Sequence, residues 1–238
     1  MQVTDAGPVV DGVYVNGCGP FRFLVDTGAN TNLISRGLAR NIGIKVTFRT
    51  SFASMSRASI AFGSSGNEIS LDSERASAQE LLLVDLDTPR YRSSDIQGLL
   101  GQQFLAHFDY RLDLKRQQLS FGEQNRIGTR VLLTMINGRP SVSTSLGQMV
   151  VDSGAAALVL AGMKHAPAPS RSVELQSAAG SEHAAVRTAR VLIEDRIIWQ
   201  GGVLSIPGPL DPGINGLLPV RHLNSVYICN SGGYVVFE

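Results

Sequence analysis

The sequence predicts an all-β protein of two lobes that are related by an internal duplication. The tripeptide Asp26–Gly28 (Asp-Thr-Gly) returns as Asp152–Gly154 (Asp-Ser-Gly), each after apolar residues and directly before an alanine. A second motif, Ile96–Gly98 (Ile-Gln-Gly), returns as Ile214–Gly216 (Ile-Asn-Gly). The aspartates are 152 − 26 = 126 positions apart and the motif glycines 216 − 98 = 118 apart. Repetition at this period indicates two copies of one structural unit.

The individual elements are short and mostly extended. Alternating or fully apolar runs between turn signals predict strands, and only two segments suit short helices, Ser35–Ile42 and Gln102–His107. The predicted strands are Val13–Val15, Phe21–Val25, Val46–Phe52 and Leu81–Val84, then Val131–Ile136, Gln148–Val151, Val173–Gln176, Val186–Ile193 and Ile197–Leu204.

Turn signals divide the chain. Asn16-Gly17 and Asn137-Gly138 each predict a tight hairpin, and we expect the two turns to be equivalent in the two halves. Gly63–Gly66 (GSSG) reads as a flexible hairpin. Glycines and charges cluster over Phe121–Arg130. We therefore expect an N-terminal lobe over residues 1–124 and a C-terminal lobe over residues 125–238.

Composition excludes several classes of protein. The 238 residues are 43% hydrophobic and 17% charged with a net charge of +1, which argues against disorder and against binding to nucleic acid. No apolar run is long enough to span a membrane, and because the N-terminus shows no charged region followed by an apolar one, we expect no signal peptide. If Met1 is an added start on a mature segment, we expect a periplasmic or secreted protein, and otherwise a cytoplasmic one. The two cysteines, Cys18 and Cys229, are expected to be unpaired.

Two aspartates brought face to face have a specific chemistry. Both cannot ionise easily, so one holds a proton while the other acts as a base. Such a pair can activate water for attack on a carbonyl, and its titration belongs to the pair. A lone Asp-Thr-Gly would more simply be an exposed turn, but its duplication within a second shared motif favours Asp26 and Asp152 as a catalytic pair.

These motifs together resemble the pepsin-like and retroviral-type aspartic peptidases, and bacterial aspartyl proteases with two retropepsin-like lobes look most similar. The resemblance implies a bilobal acid-protease fold with double-psi-type barrels, in which Ile96, Gly98, Ile214 and Gly216 form the psi motifs. A tight turn is the alternative role for the two glycines. The implied activity is hydrolysis of peptide bonds without a covalent intermediate, a cofactor or a metal.

The remaining motif residues would support the pair. Gly28 and Gly154 leave room for backbone N–H groups near the carboxylates. By resemblance, the hydroxyls of Thr27 and Ser153 reach across to the opposite lobe. The next residues, Ala29 and Ala155, lack the hydroxyl that pepsins usually have there. Because fewer donors disfavour an ionised carboxylate, we expect a less acidic activity optimum than that of gastric enzymes.

Family members cover the cleft with a hairpin flap. Its tip is expected within Phe52–Ala58, with Phe52, Ser54, Met55 and Ser56 as candidates and Gly63–Gly66 as the competing position. The second lobe's counterpart is expected near Ala178–Ser181.

The partner implied is a peptide or protein substrate. Since one chain supplies both aspartates, we expect a monomer. Two other hypotheses stay open: a catalytically idle member of the same fold that binds peptides or proteins, and a duplicated β module with coincidental motifs. Inhibitor-like relatives often lose an aspartate, and this chain keeps both.

Overall fold

The computed structural model describes residues 1–54, 57–123, 128–162, 171–177 and 180–238. The prediction of an all-β protein with two lobes is confirmed. The strands of the first half are β1 Gln2–Thr4, β2 Gly7–Val15, β3 Cys18–Val25, β4 Asn32–Ser35, β5 Phe48–Ser54, β6 Arg57–Leu71, β7 Glu74–Val84, β8 Gly98–Leu100, β9 Tyr110–Asp113 and β10 Gln118–Phe121. Those of the second half are β11 Thr129–Leu132, β12 Thr134–Ile136, β13 Arg139–Thr144, β14 Gly147–Asp152, β15 Val159–Ala161, β16 Ser172–Ser177, β17 Gly180–Ile193, β18 Arg196–Ile206, β19 Gly216–Pro219, β20 Ser225–Cys229 and β21 Tyr234–Phe237.

Each lobe is built on an eight-stranded sheet, and the two sheets have the same topology. The first has the order β1-β2-β3-β8-β4-β7-β6-β5 and the second β12-β13-β14-β19-β15-β18-β17-β16. In both, a central short strand is parallel to one neighbour and antiparallel to the other: β8 lies between β3 and β4, and β19 between β14 and β15. The repeat seen in the sequence is therefore a repeat of structure.

A third sheet joins the halves. Its order is β10-β9-β20-β21-β11, so hairpins from both halves lie side by side. The pairing of β9 with β20 brings Tyr110 opposite Ile228. These residues are 228 − 110 = 118 positions apart, the same offset that separates Gly98 from Gly216. The predicted lobe boundary at residue 124 lies outside the described residues.

Helices are few and short. They are α1 Arg36–Asn41, α2 Pro89–Arg92 and α3 Gln102–Leu105, with a 3₁₀ turn at Val220–His222. Helix α1 begins where Ser35 caps it, because the Ser35 hydroxyl accepts the amide hydrogen of Leu38 at 3.1 Å. Helices α1 and α3 lie within the two predicted segments, whereas α2 was not predicted. No helix in the described part of the chain is long and apolar enough to cross a membrane.

The principal core runs continuously from the first lobe through the joining sheet into the second. Phe104 and Tyr110 of the first half are fully buried in it together with Val226 and Val235 of the second. Because apolar burial is the main favourable term in folding, this shared core binds the two halves into one body.

Three expectations about turns and strands were wrong. Gly63–Gly66 is not a hairpin: it lies inside β6, where the pairing with β7 shifts register between Ser64 and Asn67. Segment 131–136 is not one strand but parts of β11 and β12, which belong to different sheets.

The equivalence of the two Asn-Gly turns was also wrong. Both are tight turns with positive φ at both residues, as predicted. However, Asn16-Gly17 joins β2 to β3, the strand that leads to Asp26, whereas Asn137-Gly138 joins β12 to β13, one strand earlier. By sheet order, Asn16-Gly17 corresponds to the β13–β14 turn instead.

The two cysteines are separate thiols. Cys18 is exposed at the start of β3, and Cys229 is buried at the end of β20.

Candidate active site

The two aspartates lie at the ends of equivalent strands, β3 and β14. Strand β3 ends at Val25, and the amide of Asp26 donates to the carbonyl of Leu100 in the neighbouring parallel strand β8 at 2.9 Å. Strand β14 ends at Asp152, which pairs with Pro219 of the parallel strand β19. Each aspartate thus lies where a strand leaves its sheet, held by the central strand beside it.

The structure brings the two aspartates together. A Cβ placed on Gly28 would lie 2.3 Å from the carboxyl carbon of Asp152, and one placed on Gly154 would lie 2.7 Å from that of Asp26. Each carboxyl group therefore packs on the glycine of the opposite motif. Any larger residue at either position would displace the carboxyl group or the loop.

Thr27 and Ser153 cross between the lobes and form four reciprocal hydrogen bonds. The Thr27 hydroxyl donates to the Val151 carbonyl at 2.6 Å and accepts from the Ser153 amide at 2.9 Å. The Ser153 hydroxyl donates to the Val25 carbonyl at 2.6 Å and accepts from the Thr27 amide at 2.9 Å. Both side chains are buried, so this network fixes the spacing of the two loops.

Burial dominates the electrostatics of the pair. Asp152 is only 7% exposed. Burial, followed by the charge of Asp26, raises the pKa of Asp152 to about 7, although the Ala155 amide donates to its carboxylate at 2.8 Å. Burial also raises the pKa of Asp26, against the opposing charge of Arg90 and a hydrogen bond that the Gly28 amide donates to the Asp26 carboxylate at 3.1 Å. The pair can therefore hold one proton at near-neutral pH.

The positions after the glycines behave as backbone donors. Ala155 binds Asp152 through its amide, and the amide of Ala29 donates to the carbonyl of Asp26 at 3.2 Å. Neither alanine carries a hydroxyl, so these positions offer the carboxylates only their N–H groups.

The motif glycines Gly98 and Gly216 are strand residues, so the turn alternative was wrong. Each is the first residue of its central strand. A Cβ on Gly98 would lie 2.6 Å from the Leu33 carbonyl oxygen, and one on Gly216 would lie 2.3 Å from the Val159 carbonyl oxygen. Ile96 and Ile214, two residues earlier, are both buried. The glycines thus let a neighbouring strand pass close beside each aspartate loop.

A cleft of about 750 Å³ opens over the aspartates, and both lobes line it. Its apolar walls are pseudo-symmetric, because the pairing of β4 with β7 and β8 matches that of β15 with β18 and β19. The matching side chains are Leu33 and Val159, Leu82 and Leu204, and Leu99 and Leu217. Within the described ranges, no three His, Cys, Asp or Glu side chains are grouped as a metal site would require.

Sequence reasoning missed two arginines in this cleft. Arg90 on α2 donates to the carbonyls of Ala6, at 3.1 Å, and Gly154. Arg139 on β13 pairs with Asp211. Pro89, which suits the first turn of a helix, was a signal for α2 that could have been read from the sequence. No repeated motif pointed to either arginine.

The flap candidates fall on the β5–β6 hairpin, in which Ser54 pairs with Arg57. Phe52 and Ser54 are residues of β5, and Met55 and Ser56 lie outside the described residues. The competing Gly63–Gly66 lies along β6 and is not a hairpin tip. The matching hairpin of the second lobe joins β16 and β17, where Ser177 pairs with Gly180, and residues 178–179 lie outside the described residues.

The family comparison agrees with this geometry. The family model described as aspartyl protease matches residues 12–104, which include Asp26–Gly28 and Ile96–Gly98. Over these residues of the first half, the chain is similar to the aspartyl proteases, a family of hydrolases. None of the curated proteins matches the chain significantly.

Proposed function

We propose that this protein is an aspartic endopeptidase that hydrolyses peptide bonds with a water molecule activated between Asp26 and Asp152. The observation that carries the proposal is the reciprocal packing of each carboxyl group on the glycine of the opposite motif. Together with the four hydrogen bonds of Thr27 and Ser153, it holds two acids from two lobes at one point of a cleft.

The surroundings favour different protonation states for the two acids. The positive charges of Arg90 and Arg139 favour ionised Asp26, whereas burial and then the negative charge of Asp26 favour protonated Asp152, against a smaller opposing effect of Arg90. Asp26 then takes a proton from water as the general base, and Asp152 donates its proton to the substrate carbonyl oxygen as the general acid. Water attacks the carbonyl carbon directly, so no acyl-enzyme forms.

The cleft suits an extended peptide. Apolar side chains from equivalent strands lie on both sides of the aspartates, so a peptide with apolar residues flanking the scissile bond would bury them there. The β5–β6 hairpin is the candidate flap over such a peptide.

Cleavage of an unfolded protein at mildly acidic pH tests the proposal. The wild type should cleave, whereas Asp26→Asn and Asp152→Asn, which keep the shape of the side chains, should lose at least about 10³-fold in rate. Circular dichroism should show all three proteins folded.

Two results would count against the proposal. If the three proteins cleave equally, the enzyme hypothesis fails. If none cleaves but all bind an unfolded peptide, the idle, peptide-binding alternative is favoured.

The pH dependence is a separate test. A rate profile that peaks near pH 2 would contradict the raised pKa values of the pair.

A further inference from the structure

One arginine connects the lobes beside the aspartates. The guanidinium of Arg90, which belongs to the first lobe, donates to the carbonyl of Gly154 in the second-lobe aspartate loop. The same Nη2 atom donates to the carbonyl of Ala6, 3.1 Å away, in the turn between β1 and β2. Residues 6, 90 and 154 are distant in sequence, and this side chain ties them together.

The first turn of each lobe lies against the aspartate loop of the other lobe. A Cβ on Gly7, which follows the β1–β2 turn, would lie 2.8 Å from the Ser153 carbonyl oxygen and 3.7 Å from Cα of Gly154. A Cβ on Gly138, in the β12–β13 turn, would lie 3.5 Å from Cβ of Asn30. Arg90 bridges the first of these two contacts, because it binds both the β1–β2 turn and the Asp152 loop.

The segment of the second lobe that corresponds to α2 makes different contacts. Between β18 and β19, the counterpart of the α2 segment carries Asp211, and this carboxylate pairs with Arg139 of the same lobe. The connection through Arg90 to the opposite aspartate loop is thus a feature of the first lobe, and it makes the two sides of the candidate site unequal.

We propose that Arg90 is a positioning residue of the aspartate pair: by binding the Gly154 and Ala6 carbonyls together, it fixes the Asp152 loop against the first lobe and places a positive charge beside both carboxyl groups. The inference rests on the proposed function and extends it to a residue outside the repeated motifs.

The positive charge of Arg90 affects both aspartates, and other ionisable groups line the same cleft. Arg90 lowers the pKa of both aspartates, against the effect of burial. Among the described residues, the other ionisable groups that line the cleft are Asp5 from the first turn, Glu80 from β7, Tyr91 from α2, Arg139 from β13, Glu174 from β16 and Asp211 beside Arg139. Removal of the Arg90 charge should therefore raise the pKa of both acids of the pair and move both limbs of the pH–rate profile upwards.

Two substitutions separate charge from position. Arg90→Gln removes the charge, and Arg90→Lys keeps the charge but replaces the planar guanidinium, whose Nη2 atom binds both carbonyls, with an ammonium group on a shorter stem. Arg92→Gln is the matched control, because Arg92 lies on the same helix but is 66% exposed and pairs with Asp87. Each variant is compared with the wild type for kcat, KM, their pH profiles and the thermal unfolding temperature.

We expect Arg90→Gln to lower kcat roughly 10- to 100-fold, as a misplaced catalytic group does. KM should stay within about twofold because Arg90 binds the loop, and both limbs should shift upwards by about one pH unit. Arg90→Lys should also lose kcat but keep the wild-type limbs, and Arg92→Gln should match the wild type. Unchanged activity in Arg90→Gln, or lost activity without a pH shift, would overturn the proposal.

A direct titration keeps this test independent of activity and of folding losses. Carbon-13 NMR of the Asp26 and Asp152 carboxyl groups should show higher pKa values in Arg90→Gln than in Arg90→Lys or the wild type. Equal values would overturn the inference even if the wild type cleaves. If the wild type does not cleave at all, the proposed function fails separately. If Arg90→Gln does not fold, the Arg90→Lys result decides: wild-type kcat in that variant would reject the positioning role.

Discussion

At the scale of single residues, two nearly identical tripeptides have different environments. Burial raises the pKa of both aspartates, but the charges of Arg90 and Arg139 lower the pKa of Asp26, whereas the charge of Asp26 raises the pKa of Asp152 further. A shared motif therefore carries two unequal acids, and the difference arises from side chains that lie far from the motifs in sequence.

This inequality predicts a pH-dependent effect on stability. The pKa of Asp152 is about 7 in the folded protein and about 4 in an unfolded chain. Between these values the folded state holds the extra proton, so stability decreases as the pH rises through this window. Asn cannot ionise and avoids that loss. We expect Asp152→Asn to match the wild type near pH 4 and to exceed it by up to about 4 kcal/mol above pH 7.

Urea denaturation at several pH values measures this effect. A variant that is less stable than the wild type at high pH, or equal to it throughout, would contradict a raised pKa for Asp152.

The sequence predicted some residues of the candidate site and could not predict others. Duplication identified Asp26, Asp152 and the glycines of the two motifs, because both loops need an aspartate and a residue without a side chain at the same positions. Thr27 and Ser153 followed from family resemblance. Arg90 could not be found in this way, because its partners are the main-chain carbonyls of Ala6 and Gly154. Every residue type has a main-chain carbonyl, so such partners cannot be recognised from the sequence.

At the scale of elements, the central strands β8 and β19 position the aspartate loops. Their first residues must be small because a neighbouring backbone passes within 2.6 Å and 2.3 Å of where a Cβ would lie. This constraint is steric and local to the crossing, and it explains why the Ile-x-Gly motif occurs in both halves.

Alanine substitution tests this constraint. Gly98→Ala and Gly216→Ala should each destabilise the fold by about 1–3 kcal/mol, since a main-chain oxygen is among the clashing atoms at both positions. Gly37→Ala is the matched control: Gly37 lies in α1 with open space around it, so alanine should stabilise by up to about 1 kcal/mol. Urea denaturation gives the free energies, and Gly98→Ala or Gly216→Ala variants as stable as the control would refute the steric role.

The presence of a turn was more predictable than the strands that the turn joins. The Asn-Gly pairs were correctly predicted as tight turns, because positive φ is a property of the residues themselves. Which strands a turn joins depends on sheet order, and the first turns were mismatched for that reason. Gly63–Gly66 misled because a β-bulge and a hairpin both favour glycine.

At the scale of the whole molecule, the topology supplies both lobes from a single chain. The retroviral-type peptidases that the sequence resembles need two chains, since each contributes one aspartate. Here the eight-stranded sheets have matching strand orders, and the core runs between them through the joining sheet.

We therefore predict an active monomer. Sedimentation velocity should give a single species of 25.4 kDa, and the specific activity should not change on dilution from micromolar to nanomolar enzyme. A site completed by a second copy would instead lose activity on dilution, together with a shift in sedimentation.

The joining sheet bears on how such a molecule could originate. Tyr110 faces Ile228, its counterpart by the offset of the later motifs, so an approximate twofold axis passes through this antiparallel pair. A strand that meets its own repeat in this way could meet the same strand of a separate molecule equally well. An ancestral half-length protein would thus already have possessed the joint, and gene fusion had only to add the connection.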